Sequence, residues 1–548
     1  MINRLGVENR NVNSSYAVAL KKENANQSNP NFKAGNPWAA LLWGIQKCEE
    51  NPMINVAVID MFSAILPRTF VESTTNWFAG FEAFRRESSG LIVNCLIPSV
   101  ITWGGALGLN KLIMPKGTKM ASCWADHSLI DRATETFTNS KSKDKIADSF
   151  LEIISNTRGS HGKKQILFKN EFTEKELKGF AQKLKNLSIS DIKDKELSKE
   201  VEKIAKEIAQ RTHVYENVKV VNGKEVGANT VKTLLEDSVK FFREYQKVEK
   251  NISIKDFAQK SKKLVKGKTA LGLAIVLPLA ASMQYINRWI TGKISGTEGA
   301  PIYEDFGKNK NEEIRKKSQE GLFKQKLISI SSMIGVSLLS MMKKPSWNML
   351  EFKGWFPTMD QARIISTTTF ASRMAVADDK NELAETTARD IATFAGLYFL
   401  GDYAGKATAT ILEKKKGIQL LNDTKPLEKD ANVFKRFWHW VKDVNIKSSD
   451  EVVSKTAEAL KDKKLTPNKV QEELIKKEIK QAKNLRSACQ AANLGVSLIL
   501  LGLIVPIWTR RSTKKKHAEA IKQANQNILG INEQQDTKSK KADLVKTH

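Results

Sequence analysis

Residues 487–509 read SACQAANLGVSLILLGLIVPIWT, 23 positions without a charge, and Arg510, Arg511, Lys514, Lys515 and Lys516 follow at once. At about 1.5 Å of rise per residue, a helix of that length extends roughly 34 Å, enough for a hydrocarbon core about 30 Å thick. Cations directly behind an apolar run favour the cytoplasmic face, which assigns the basic polar tail 510–548 to the inside. The main competitor is a large soluble helical protein with buried apolar runs. A 23-residue uncharged stretch ended by a cation cluster suits lipid better.

Working outward, further runs have the same character. Residues 88–111 (SSGLIVNCLIPSVITWGGALGLN, then Lys111) follow Arg85 and Arg86. Pro98 predicts a kink there, and Gly104 and Gly108 form a small-xxx-small face for close helix approach. Residues 268–290 carry Pro278 at their centre, lysines before and Tyr285 and Trp289 at the far end, the placement of an aromatic belt. Residues 325–343 hold 16 uncharged positions between Lys326 and Lys343; flanking lysines can snorkel, so this run also spans. Residues 344–410 read as an interfacial loop and a long helix ending in a weak span, 391–404 (IATFAGLYFLGDYA), where Gly401 and Gly405 repeat the packing spacing. Trp347, Trp355 and Phe356 are candidate anchors in the loop. Residues 37–87 read as interfacial or amphipathic helices.

The fold class expected is therefore all-α: a multi-pass helical membrane bundle of about four to six spans or membrane-embedded helices. Residues 112–267 interrupt it with a different pattern. They are rich in Lys and Glu, and Leu197, Val201, Ile204 and Ile208 recur at helical spacing, as do Val231, Leu235, Phe242 and Tyr245. This predicts an inserted soluble helical domain. Asn222-Gly223 between valines predicts a hairpin near 217–226, since both turn positions need positive φ. The leader, 1–36, is polar, lacks a signal-peptide core and reads as disordered.

Charge is strongly positive: 89 Lys and Arg against 60 Asp and Glu, a formal +29. Beside membrane spans, anionic lipid headgroups are the simplest partner for it, and nucleic acid is disfavoured. The basic segment 411–486 contains VFKRFWHWV, in which Phe434, Phe437, Trp438 and Val441 recur at i, i+3, i+4 and i+7. With Lys435, Arg436 and Trp440 it reads as an in-plane helix, aromatics at the acyl boundary and cations at phosphates, as are Arg510 and Arg511 behind the last span. The soluble domain is the surface for a protein partner or a second copy. The acidic stretch 377–390 reads as a solvated helix face, with pairing to basic helices as the alternative.

Candidate chemistry is sparse. Cys48, Cys95, Cys123 and Cys489 form no CxxC pair, which argues against a disulfide framework or zinc cluster; no metal and no cofactor are expected. Cys123 and His127, at i, i+4, are a weak candidate for a nucleophile and base on one helical face. Asp60 and Asp402 are carboxylates inside apolar runs, costly at membrane depth and often part of an ion path there. Gly267-Lys268-Thr269 resembles the end of a phosphate loop, but Lys262 stands where that loop needs glycine, so a basic helix flank is the better reading. The function expected is a non-enzymatic scaffold or interaction protein of an integral, bacterial inner membrane type. A transporter or channel is the alternative, and a membrane enzyme centred on Cys123 and His127 the third reading.

Overall fold

A computed structural model describes residues 37–50, 52–74, 77–161, 164–221, 226–295, 321–341, 350–352, 357–378, 380–422, 432–462, 469–509, 511–512 and 515. The leader, the Asn222-Gly223 turn, Trp347, Trp355, Phe356, Arg510 and most of the tail lie outside the described residues. The described chain is predominantly helical with one small antiparallel sheet, and five of its helices are long and apolar enough to cross a membrane.

After α1 (Pro37–Glu50) come α2 (Pro52–Ser73) and α3 (Trp77–Ile113), both of membrane length. Where 37–87 is expected to hold short interfacial helices, the structure has one helix of membrane length, α2, and the start of a second, α3. Pro67 does not end α2, because the turn just before it widens into a π-helix, Asp60–Ile65. The same device recurs: the π-helix Ile92–Leu96 precedes Pro98 in α3, and Leu500–Ile504 precedes Pro506. A proline ring collides with the carbonyl four residues back and has no N–H to offer it. A wide turn placed ahead of the ring moves that carbonyl aside, so the helix continues.

The inserted segment contains α4 (His127–Asn139), α5 (Lys145–Ser155), β1 (Thr157–His161), β2 (Lys164–Leu167), α6 (Glu174–Ile189), α7 (Asp194–Thr212), β3 (Glu216–Val220), β4 (Val226–Thr230) and α8 (Val231–Gln246). Sheet order is β2-β1-β3-β4, with Val220 opposite Val226 in the hairpin read from the sequence. Asp126 caps α4, Asp144 caps α5, and Thr173 with Glu176 forms a capping box on α6, so orphan N–H groups at each start are satisfied. The predicted stripes of α7 and α8 are buried in one apolar core with Phe150, Phe168, Phe241 and Phe257. That core extends to Leu264 and Val265 of α9 (Ile254–Ser295), a helix of 42 residues. Farther along α9, Val276 and Ala280 pack with Val93 and Ile365. One helix thus belongs to both the domain and the bundle.

The bundle continues with α10 (Leu322–Met341), α11 (Met359–Ala375) and α12 (Lys380–Ala395), which passes through a π turn, Gly396–Leu400, into α13 (Gly401–Lys416). Two smaller helices, α14 (Val433–Asp443) and α15 (Ser449–Asp462), lead to α16 (Glu473–Thr509). Gly401 and Gly405 do pack as their spacing suggests: a Cβ on Gly401 would lie 2.5 Å from Ser497 Oγ, and one on Gly405 3.1 Å from the Cys489 carbonyl. Gly104 and Gly108 have no such neighbour among the described residues of the chain. A Cβ on either meets nothing within 4 Å, and Gly105, which faces Leu271, is the glycine in contact. Spacing alone shows that two glycines share a face, not which way it points.

Gly401→Val should destabilise the protein by about 1–3 kcal/mol through overpacking, while Gly104→Ala leaves stability unchanged or slightly raised. Thermal unfolding in detergent, followed by tryptophan emission, measures both. Equal effects of the two substitutions would contradict the packing described.

Candidate functional site

Charged residues gather where the bundle helices meet. Arg68 lies on α2 next to Pro67, Glu87 on α3, Arg373 on α11, and Arg389 and Asp390 on α12. Arg373 bridges two carboxylates, with Nη2 3.0 Å from Glu87 Oε2 and Nη1 3.3 Å from Asp390 Oδ1. Arg68 Nη1 sits 2.9 Å from Glu87 Oε1, and its Nη2 donates to Thr393 Oγ1 at 3.1 Å. Arg389 Nε reaches Asp390 Oδ1 at 3.2 Å. Arg68, Glu87, Arg373 and Asp390 are all buried. Four helices are thereby tied at one point by paired charges, each of which would be costly alone. Asp60, half-buried on α2, lies within electrostatic reach of this cluster, beside Glu87, Arg68 and Arg373.

The acidic stretch 377–390 is not a solvated face. Asp378 and Glu382 both pair with Arg288 of α9, and Asp390 is fully buried in the network. Arg85 extends the polar zone, donating to Asn287 and, at 2.8 Å, to Thr291. Asp402 is apart from all of this: its Oδ1 accepts from Asn493 Nδ2 of α16 at 2.7 Å.

The pairing of Cys123 with His127 on one helical face is corrected. α4 starts only at His127, and Cys123 stands before it in extended conformation. The cysteine is buried with its Sγ 3.8 Å from the Asp237 carbonyl. Burial above all, then the Asp237 charge, pushes its thiol up to about 12, so at neutral pH it carries no thiolate nucleophile. His127 turns instead to Glu351, whose Oε1 lies 2.5 Å from its Nδ1. Burial raises the Glu351 carboxyl and the facing His127 lowers it in part. Among the described residues no group of three His, Cys, Asp or Glu is placed to hold a metal ion.

Lys268 is neither a phosphate-loop lysine nor a solvated flank. It is buried, donates to the carbonyls of Ala121 at 3.0 Å and Cys123 at 2.9 Å, and lies 4.6 Å from the centre of the Trp124 ring. These two carbonyls, the Met120 carbonyl at 3.4 Å and the π face replace its hydration and pin the loop before α4 onto α9.

On α14, Asn432 caps the helix by accepting from Lys435 N at 2.8 Å. Phe434, Phe437 and Trp438 are exposed, with Lys435 and Arg436 beside them. The far end is anchored: Val441 is buried, its carbonyl accepts from Lys406 Nζ at 3.0 Å, and Trp440 lies 6.1 Å from Tyr403. Arg511 is exposed just past the end of α16.

No protein-family model matches the chain, and neither a characterised protein nor a solved structure is detectably similar to it.

Sequence reading passed over Arg68, Glu87 and Arg373. The available signal was an arginine or carboxylate standing among small and apolar residues in a helical stretch, which identifies a buried charge but not its partner.

Arg373→Ala should cost about 3–5 kcal/mol, because two buried carboxylates lose their shared cation. Thermal unfolding in detergent reads it, and a loss below about 1 kcal/mol would show that the network does not hold the helices. In the domain, burial pushes the Asp237 carboxyl up to about 7 from its usual 3.8. The folded protein therefore keeps a proton there that the unfolded chain releases, so stability falls as pH rises through the window from about 4 to 7. Asp237→Asn removes that term. The melting temperature of the variant minus that of the wild type should increase across the window and level off above it; a flat or falling difference would refute the assignment.

Proposed function

We propose that this chain is a multi-pass integral membrane protein with a non-enzymatic scaffolding role, its soluble domain serving as the docking surface and its α14 helix lying on an anionic lipid surface. One observation carries the membrane reading. The five membrane-length helices turn apolar side chains outward: only 17–39% of each apolar window is buried within the protein. On α3 the exposed apolar residues include Ile92, Leu96, Val100, Trp103 and Leu107, and on α16 Val496, Ile499, Leu503, Ile504, Ile507 and Trp508. A water-soluble bundle would bury such faces, and contiguous apolar surface on this scale needs lipid or protein to cover it.

The scaffolding reading rests on the neutral, buried Cys123 and its separation from His127, together with the basic balance of the chain. For α14, exposed aromatics and cations on a helix anchored at its far end match in-plane insertion, the rings at the acyl boundary and Lys435 and Arg436 at phosphates. The tail after Thr509 is assigned to the cytoplasmic face. A second reading, a transporter, is favoured by the buried charge network joining four helices.

Membranes washed in alkaline carbonate should retain the protein; full release would refute the membrane reading. A peptide covering residues 430–447 should bind anionic vesicles more tightly than neutral ones, with a blue shift of Trp438 emission and weakening in salt, at about 1 kcal/mol per cation near the surface. Equal binding to both vesicles would remove lipid as the partner of α14. Coupled solute flux in proteoliposomes, lost in Asp402→Asn, would favour the transporter.

A further inference from the structure

We propose that α11 and the continuous α12–α13 helix also cross the membrane, as central helices shielded from lipid, so that the chain makes seven crossings and the domain of residues 112–267 faces the side opposite the tail. The proposal rests on the membrane reading above. Neither helix belongs to the five that are apolar enough to meet lipid. Their depth is fixed by what they touch.

On α11, Ile365 packs with Val93 of α3 and with Val276 and Ala280 of α9, in the interior of two apolar runs. Thr369 Oγ1 donates to Asn94 Oδ1 at 3.1 Å, and Ser372 Oγ to the Ala280 carbonyl at 3.3 Å. On the π turn that joins α12 to α13, Gly396 lies against Leu501, and its carbonyl accepts from Ser497 Oγ at 3.1 Å. Ser497 and Leu501 are central in the 23-residue run of α16. Both helices therefore lie at the depth of the spans, not at their ends.

The direction of each helix follows from paired contacts. Asn55 of α2 pairs with Gln490, while Ser63 and Pro67 meet Gly502, so α2 runs parallel to α16. Gly396 faces Leu501, Gly401 faces Ser497 and Gly405 faces Cys489, so α12–α13 runs antiparallel to α16. Ser366 meets Tyr398 at 2.6 Å and Arg373 meets Asp390, which reverses direction again into α11. Arg373 with Glu87, and Thr369 with Asn94, set α3 antiparallel to α11. Asn287 beside Arg85 and Leu271 beside Gly105 set α9 antiparallel to α3. Lys326 Nζ donates to the Ala375 carbonyl at 2.8 Å, so α10 begins where α11 ends. In chain order, α2, α3, α9, α10, α11, α12–α13 and α16 alternate in direction without a break.

Both ends of the bundle are thus assigned. At one lie the domain, joined through His127 to Glu351 and through His213 to Ser454 of α15, and the start of the apolar run of α16, where Arg486 approaches Glu49. At the other lie Arg288, Asp378, Glu382 and the end of α16. Counting apolar runs alone, with 391–404 included, gives four crossings between domain and tail and puts both on one side. Adding α11 makes five and separates them. Hydropathy misses α11 because a helix surrounded by other helices needs no apolar exterior. Its hydroxyls bond to helix carbonyls, as Thr367 does to Arg363 and Thr368 to Ile364, and its two arginines are paired, Arg363 with Asp360 and Arg373 with Glu87.

The test places one cysteine at a time in the full-length protein: Lys199→Cys in the domain, Lys415→Cys near the end of α13, Lys380→Cys at the start of α12 and Arg511→Cys past α16. The four native cysteines are buried. Sealed vesicles of both orientations are treated with a membrane-impermeant maleimide. Lys199→Cys and Lys415→Cys should label in one orientation, Lys380→Cys and Arg511→Cys in the other. Labelling of Lys380→Cys together with Lys415→Cys, or of Arg511→Cys together with Lys199→Cys, in protein that carbonate does not release would overturn the seven-crossing arrangement and leave the membrane reading standing. Labelling of all four in both orientations, with release by carbonate, would overturn both.

Discussion

Arg373 holds the bundle together at its most expensive point. One guanidinium faces Glu87 on one side and Asp390 on the other, and Arg68 closes the circuit through Glu87 to Thr393. The planar fork of arginine suits this, since its donors reach two carboxylates without leaving either half-solvated. Each charge is tolerable in a buried site only because the others are present. The register of α2, α3, α11 and α12 is therefore set together, because shifting any one by a turn would strand a charge.

Around that fixed point the helices approach closely by two means. Prolines are kept inside long helices by a widened turn ahead of each, at Pro67, Pro98 and Pro506. Glycine removes the side chain where backbones meet, as at Gly401 and Gly405 against α16. The π turn Gly396–Leu400 joins these effects, since it has no proline and instead brings Gly396 onto Leu501. A widened turn rotates every later side chain about the helix axis, and Asp402 points to Asn493 just after one.

Much of this was legible in the sequence, and the boundary has a physical origin. The apolar run 487–509 and the stripe Leu197, Val201, Ile204 and Ile208 declare themselves by a simple pattern, an uncharged stretch of spanning length in one and apolar residues at helical spacing in the other. The segment 359–375 has neither pattern, although Ile365 packs with Val93, Val276 and Ala280. It is surrounded by other helices and satisfied by them one hydroxyl at a time, so its sequence, MDQARIISTTTFASRMA, has no period to read. Cys123 and His127 failed for a local reason: Asp126 is a good N-cap, and a cap placed between two residues ends the helical spacing that would have joined them. Arg68 and Glu87 were invisible as a pair because nothing in a linear sequence brings α2 to α3 at that level.

The insertion of residues 112–267 has no linker. α3 enters it and α9 leaves it as adjacent antiparallel helices, with Gly267 against Leu109, and Lys268 clamps the first loop of the domain onto α9. Hinges and tethers let most appended domains swivel and search for what they bind. This one stands on two stems, and α9 measures about 63 Å from end to end at 1.5 Å per residue. Its outer surface is held at one bearing to the bundle axis, and the helix that leaves it carries Arg288 near the opposite end.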